Sequence, residues 1–401
     1  MASPSSPPLH PQSTLLLSLF METRPKCRNR TTNDSFDDTD ENETLLPGLP
    51  DDLAQHCLSS LSPSLLFSVC HPWRRFLYSP SCPPFFSLYA LLSPLQNPTP
   101  GQVVPQNTVE FFSFDPISSS WTPLPSPPQH PPLHLLHHHP SFLSRNLPIQ
   151  SLTVSNHLVL IAATTHKLFP ALSSPLVFHP ESSSWFYGPQ ISTPRRWCVT
   201  GSVGGVLYMA SGVGSLYKGD VARSLEQWEL NKKRENWRWE NKAQLKDGRF
   251  SREAVEAVGY RGKLCMVNVK GNAVKEGAVY DVGLDKWEDM PQGMVAGWNG
   301  PAAAMDEDVI YVVDEVKGSL SKYDGERDCW VEVTELGQLK RAEQIAAGGG
   351  KICAVSEKGE RIIVVDVGDK PARVWEVAPP RGMEVVAVHV LPRMISIDKT
   401  S

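Results

Sequence analysis

Apolar and polar positions alternate in short runs spread through most of the second half of the chain. They run over Gly204–Met209, Gly262–Val267, Asp308–Val313 and Gly349–Val355, each opening on a Gly or Asp turn. Alternation between such turns predicts antiparallel strands joined as hairpins. A second phrase keeps step with the first. An aromatic or aliphatic residue precedes a short polar one, and a Trp follows six positions later: Phe114-Asp115 to Trp121, Phe178-His179 to Trp185, Leu230-Asn231 to Trp237, Tyr280-Asp281 to Trp287 and Tyr323-Asp324 to Trp330. A sixth copy, Val365-Asp366 to Trp375, is stretched. The polar residue suits the start of a turn, where its side chain bonds its own backbone, and the Trp brings a large surface to the next strand.

Repetition at intervals of roughly 40 to 65 residues excludes a single mixed α/β domain and predicts small sheets of about four strands that bury their faces only against neighbours. Five complete units run from about Leu152 to Trp375, and Val109–Trp121 and Val385–Val390 are each too short for a unit. Joined, they make a sixth from both ends of the chain and leave no free sheet edge. Six is the expected number; the irregular Val365 unit leaves five or seven as alternatives.

Prolines crowd the first half of this 401-residue chain, up to Pro194, and charges there are few. Residues 1–44 lack periodicity and are rich in Ser, Pro, Asn and Asp, which predicts disorder. Leu15–Phe20 is too short to span a membrane and lacks the flanks of a secretory signal. The net charge of −5 gives no reason to expect nucleic acid or an anionic membrane as partner. Eight cysteines without a C-x-x-C pair suggest a reducing compartment, nucleus or cytoplasm, with Cys265, Cys329 and Cys353 acting as small hydrophobes. The basic residues Arg24, Lys26, Arg28 and Arg30 are at most a weak nuclear signal.

Between Leu45 and Leu92 the period changes. Leu53, Cys57, Leu58 and Leu61 recur at helical spacing after Asp51-Asp52, and Ser62-Pro63 opens a second helical run carrying Leu65, Leu66, Val69, Cys70 and Trp73. About forty residues with so many Leu and Phe cannot bury them all alone, so a partner surface is expected.

Little points to chemistry. His130, His134 and His137–His139 sit in a proline-broken stretch, more an inserted surface loop than a metal site. Gly212-Val-Gly214 and Gly348–Gly350 fall in hairpins with no helix after them, unlike phosphate loops. No nucleophile motif occurs, so neither an enzyme nor a cofactor is expected. Nine residues before Gly205, Gly262, Asp308 and Gly350 stand Arg196, Glu253, Asn299 and Arg341, with Arg195, Arg252, Trp298 and Lys340 beside them. Equivalent positions form a ring on one face of a radial array, a candidate site for a protein target. The plainer alternative is that these residues hold neighbouring units together.

The repeats resemble the kelch repeat of β-propellers, with its Gly doublet and spaced Tyr…Trp pair. The helical segment resembles an F-box, on Leu49-Pro50-Asp51, Leu53, Leu58, Leu61, and Val69-Cys70 followed by Trp73 and Arg74. That resemblance implies contact with the Skp1 adaptor of cullin-RING ubiquitin ligases through Leu49, Pro50, Leu53, Leu58 and Leu61, with Trp73 holding the helices together. His71-Pro72 departs from the family pattern. The whole chain, including Arg249–Cys265, resembles plant F-box/kelch-repeat proteins of the Skp1-interacting-partner type, karrikin-induced relatives included. The expected architecture is a small all-α F-box (45–95), a linker (96–108), an all-β kelch propeller (109–394) and a tail (395–401). The implied function is substrate recognition in an SCF (Skp1-cullin-F-box) E3 ligase; a kelch scaffold acting without a cullin is the alternative.

Overall fold

The computed structural model describes residues 44–95, 108–128, 133, 149–165, 169–214, 219–251, 254–270 and 275–394. The expectations for residues 1–43, for the His tract at 130–139, for most of the linker and for the tail fall outside the described residues.

Six four-stranded antiparallel sheets make a propeller. Five are contiguous in sequence, beginning with innermost strands Ile149–Val154, Val199–Val203, Ala254–Tyr260, Ala302–Met305 and Gln344–Gly348. The sixth closes the ring, in the order Met383–Pro392, Phe86–Pro94, Glu110–Asp115 and Ser120–Pro123. Each innermost strand contacts the next around the circle, from Ile149–Val154 back to Met383–Pro392. Both chain halves do meet in one sheet, but not as expected. Met383–Pro392 pairs with Phe86–Pro94, Leu88 opposite Val390 and Tyr89 opposite His389, and only then does Glu110–Asp115 join. Residues 86–94 therefore leave the helical segment to which 45–95 was assigned. Their uninterrupted run Leu88–Ser93 is buried throughout, because a propeller strand has a sheet on either side. Such a strand loses the alternation that would have marked it.

There is no single core. Six apolar layers separate neighbouring sheets: Leu158, Leu160 and Phe178 pack against Tyr89 and Leu91, for example, and Ile310 and Val312 against Cys265 and Val267. Hairpins at the inner turns take positive φ at both central residues, Gly204-Gly205 at 60° and 74° and Gly349-Gly350 at 58° and 75°. Ser155-Asn156, Arg261-Gly262 and Asp306-Glu307 adopt the same turn without the doublet. Glycine is favoured there, not required.

The polar residue of the Trp phrase does cap its turn. Asp115 Oδ1 accepts from Ile117 N at 2.7 Å, Asp281 Oδ1 from Leu284 N at 2.9 Å and Asp324 Oδ1 from Glu326 N at 3.0 Å. The tryptophans stitch blade to blade. Trp121 Nε1 donates to Ala378 O (2.9 Å), Trp185 to Pro125 O (2.7 Å), Trp287 to Ala243 O (2.8 Å) and Trp330 to Met294 O (3.1 Å). In each case the acceptor lies on the segment leaving the preceding blade.

Before the ring come three helices, α1 (Asp51–Leu58), α2 (Pro63–Val69) and α3 (His71–Tyr78). Ser62 Oγ caps α2 by accepting from Leu65 N. The second helical run breaks at Cys70, which is extended, so Pro72 sits in the first turn of α3 where its missing N–H costs nothing. The His71-Pro72 departure thus falls in the opening turn of α3, just after the break at Cys70. Leu58, Leu66, Phe76, Leu77 and Cys82 form a small core with Trp73 against it, and Trp73 Nε1 donates to Leu45 O at 2.9 Å.

Candidate interaction surfaces

On α1, Ala54 and Leu58 point inward, whereas Leu53 and Cys57 are exposed. On α2, Leu66 is buried while Leu65 and Val69, four residues apart, are exposed. Exposure reaches 55% at Leu53, 45% at Leu65, 50% at Val69 and 40% at Leu49, and Pro50 is exposed as well. Leu58, at 1%, belongs to the module's own core and cannot meet a partner; Leu61 is half-buried against that core. Sequence spacing had merged two faces of α1 into one. Leu65 and Val69, which it did not select as contact residues, are signalled by their own i, i+4 spacing.

The expected ring of target-contacting residues divides. All described members precede innermost strands, on the end of the ring where chain passes from one blade to the next. Arg195 and Arg196 are each only 1% exposed, and Trp298 is fully buried among Met290, Met294 and Tyr323. The Arg195 guanidinium forms an ion pair with Glu226 and donates to Ser224 Oγ at 2.6 Å and Ser211 O at 3.3 Å. All three side chains are thus buried within the ring rather than displayed on its face. Asn299, Lys340 and Arg341 are exposed; Arg341 pairs with Glu357 at 2.6 Å and Asn299 Oδ1 accepts from Lys275 Nζ. Arg252 and Glu253 lie outside the described residues. Val316, 82% exposed on the outer loop of the fourth blade, and Phe169, 49% exposed on the corresponding loop of the first, add apolar surface at the same end.

A channel of about 260 Å³ runs between the innermost strands, lined mainly by Ala, Gly, Ser and Thr with Gln150, Glu256, Gln344 and His389. Glu307 narrows it at one mouth, its carboxylate accepting twice from Gly204 N two blades away. Gln344 exchanges two hydrogen bonds with the Val388 backbone, tying fifth blade to sixth. His389 Nε2 lies 3.0 Å from Ser151 Oγ, and burial pushes its pKa down to about 4, so the ring is neutral. Burial likewise pushes the Cys198, Cys265 and Cys353 thiols up to about 12, leaving them inert as nucleophiles. Among the described residues no group of His, Cys, Asp and Glu is arranged to hold a metal, and no helix is long and apolar enough to cross a membrane.

No protein-family model matches the chain. It is 50% identical over 382 residues to the F-box/kelch-repeat protein SKIP25 of Arabidopsis thaliana, covering 93% of this chain and 94% of that one. The chain belongs to the F-box/kelch-repeat family. Within an F-box/kelch-repeat protein the two surfaces fall on separate parts, exposed leucines on the helices and mixed polar and apolar loops on the propeller.

One kelch feature departs from the expected register. In the second blade Trp237 Nε1 donates to Lys232 O of its own loop, and Trp239 takes the place of the other blades' Trp, reaching Pro189 O of the first blade. A longer turn, with a short helical stretch at Arg234–Asn236, moves the outer strand along by two.

Proposed function

We propose that the protein is a substrate-recognition subunit of an SCF ubiquitin ligase. Its helices dock on a Skp1-type adaptor, and through it a cullin, while the propeller holds the protein to be ubiquitinated. The observation that carries this reading is the uncovered apolar surface of α1 and α2. Leu49, Leu53, Leu65 and Val69 remain exposed after the helices have built their own core, and covering each fully would contribute about 1 kcal/mol or more. The protein's part is non-catalytic: it brings a target to transfer chemistry performed elsewhere in the complex. Asn299, Lys340 and Arg341 remain the polar candidates for target contact.

Leu53→Asp combined with Val69→Asp tests this, both sites being exposed so that the fold is spared. The expected result is loss of co-purification with Skp1 at unchanged melting temperature. Undiminished Skp1 binding would instead favour a scaffold working without a cullin. Affinity purification with the proteasome blocked, intact protein against the double variant, would then identify the target.

A further inference from the structure

The docking helices and the ring are joined at one buried cation. Arg393, the residue after the closing strand, is 4% exposed. Its Nη2 donates to Leu77 O at 2.9 Å and Ser79 O at 2.8 Å, at the end of α3, and its Nη1 donates to Met394 O at 3.1 Å. Its backbone N donates to Phe85 O at 2.8 Å. The guanidinium lies 5.7 Å from the ring centres of both Tyr78 and Phe85. Tyr78 Oη in turn donates to Asp115 Oδ2 at 2.5 Å, at the turn of the closing blade, and Ile117 of that turn packs into the helical core. Pro80, Pro83 and Pro84 stiffen the short link between α3 and strand Phe86–Pro94.

Burying a guanidinium is expensive, and apolar side chains of like size often stabilise a buried site as well or better. What apolar packing does not supply is direction. The last carbonyls of a helix lack intrahelical partners, and a planar fork of donors meets two of them in one fixed orientation. Burial here lowers the guanidinium's pKa, a sign of how dry the junction is.

We propose that Arg393 is a positioning residue that fixes the docking helices in one orientation on the propeller, so that a bound target sits at a set distance and direction from the adaptor. The ligase consequence rests on the function proposed above; the geometric one does not.

Spin labels carried by unnatural amino acids at Ser60, in the turn between α1 and α2, and Leu284 on the third blade, both exposed, report the orientation directly in the whole chain. The intact chain gives one narrow distance distribution. Arg393→Ala broadens it at least twofold, and Arg393→Lys, a cation without the fork, stays broad. The ring's melting temperature and Skp1 binding are retained in both. Ubiquitin transfer to a bound target falls at least fivefold while target binding is kept. An unbroadened distribution in Arg393→Ala overturns the proposal. If that variant fails to fold, Arg393→Lys is read alone, and an unbroadened distribution there overturns it equally. Broadening without any ligase activity in the intact protein would keep the junction and remove the ligase reading.

Discussion

Trp239 donates its indole N–H to the carbonyl of Pro189 at 3.1 Å, while Trp237, two residues earlier in the same blade, spends its own on Lys232 O. One ties blades together and the other ties a loop to itself. Trp239→Phe keeps the ring surface but strands the Pro189 carbonyl between blades, and is expected to cost about 1–2 kcal/mol. Trp237→Phe, stacked on Phe186 with ring centres 5.6 Å apart, leaves a carbonyl on an exposed loop and should stay within about 0.5 kcal/mol. Thermal unfolding of the two variants side by side decides the order. Equal losses would return the inter-blade role to Trp237.

Leu53 and Leu58 should part company in the same way. Leu58→Ala opens a cavity in a small core and is expected to destabilise the helices by about 2–4 kcal/mol. Leu53→Ala should leave stability within about 0.5 kcal/mol and weaken adaptor binding. Hydrogen exchange over α1–α3, with Skp1 titration calorimetry on the same samples, reads both effects.

His389 predicts a pH dependence of defined sign. Burial holds its pKa near 4 in the folded protein, against about 6.5 in the unfolded chain. Above the unfolded value neither state carries the proton, and the contribution is complete. As pH falls from about 6.5 to 4 the unfolded chain takes up a proton that the folded ring does not, and stability drops by about 2–4 kcal/mol. His389→Gln should flatten denaturant midpoints across that window. The carboxylate of Asp328, held below the ordinary range by the Tyr323 hydroxyl and the Gly293 N–H, gives its own slope only at lower pH, where protonation costs those bonds.

Deleting residues 383–401 should remove the innermost strand of the closing blade and uncover Phe86–Pro94 along its full edge. The expected outcome is loss of a single cooperative melting transition, with aggregation on heating. A truncated chain that melts like the intact one would mean the ring closes without that strand.

Much of this was legible because it repeats. Turn residue and Trp recur in blade after blade, so one local rule, a capped turn followed by an aromatic wedge, could be checked against several copies. What escaped was whatever a repeat does not encode. Leu88–Ser93 lies buried between sheets on both sides and so carries no alternation. Leu58 and Leu53 differ only in which side of one short helix they occupy. Arg195 and Arg196 looked like surface residues by type, yet Arg195 is paired inside with Glu226. Arg393 bonds to carbonyls more than three hundred residues away, where no spacing rule reaches.

The closing blade also sets a timetable. Strands Phe86–Pro94, Glu110–Asp115 and Ser120–Pro123 leave the ribosome early, yet the sheet they belong to lacks its innermost member until Met383–Pro392 has been made. Five blades can form in sequence while the first strands wait with an open edge. The ring and the helix junction are both secured only once residues 383–393 have been made. A chain cut short would therefore carry its own mark of incompleteness, an unpaired strand beside α1–α3, of the kind that chaperones and proteases recognise.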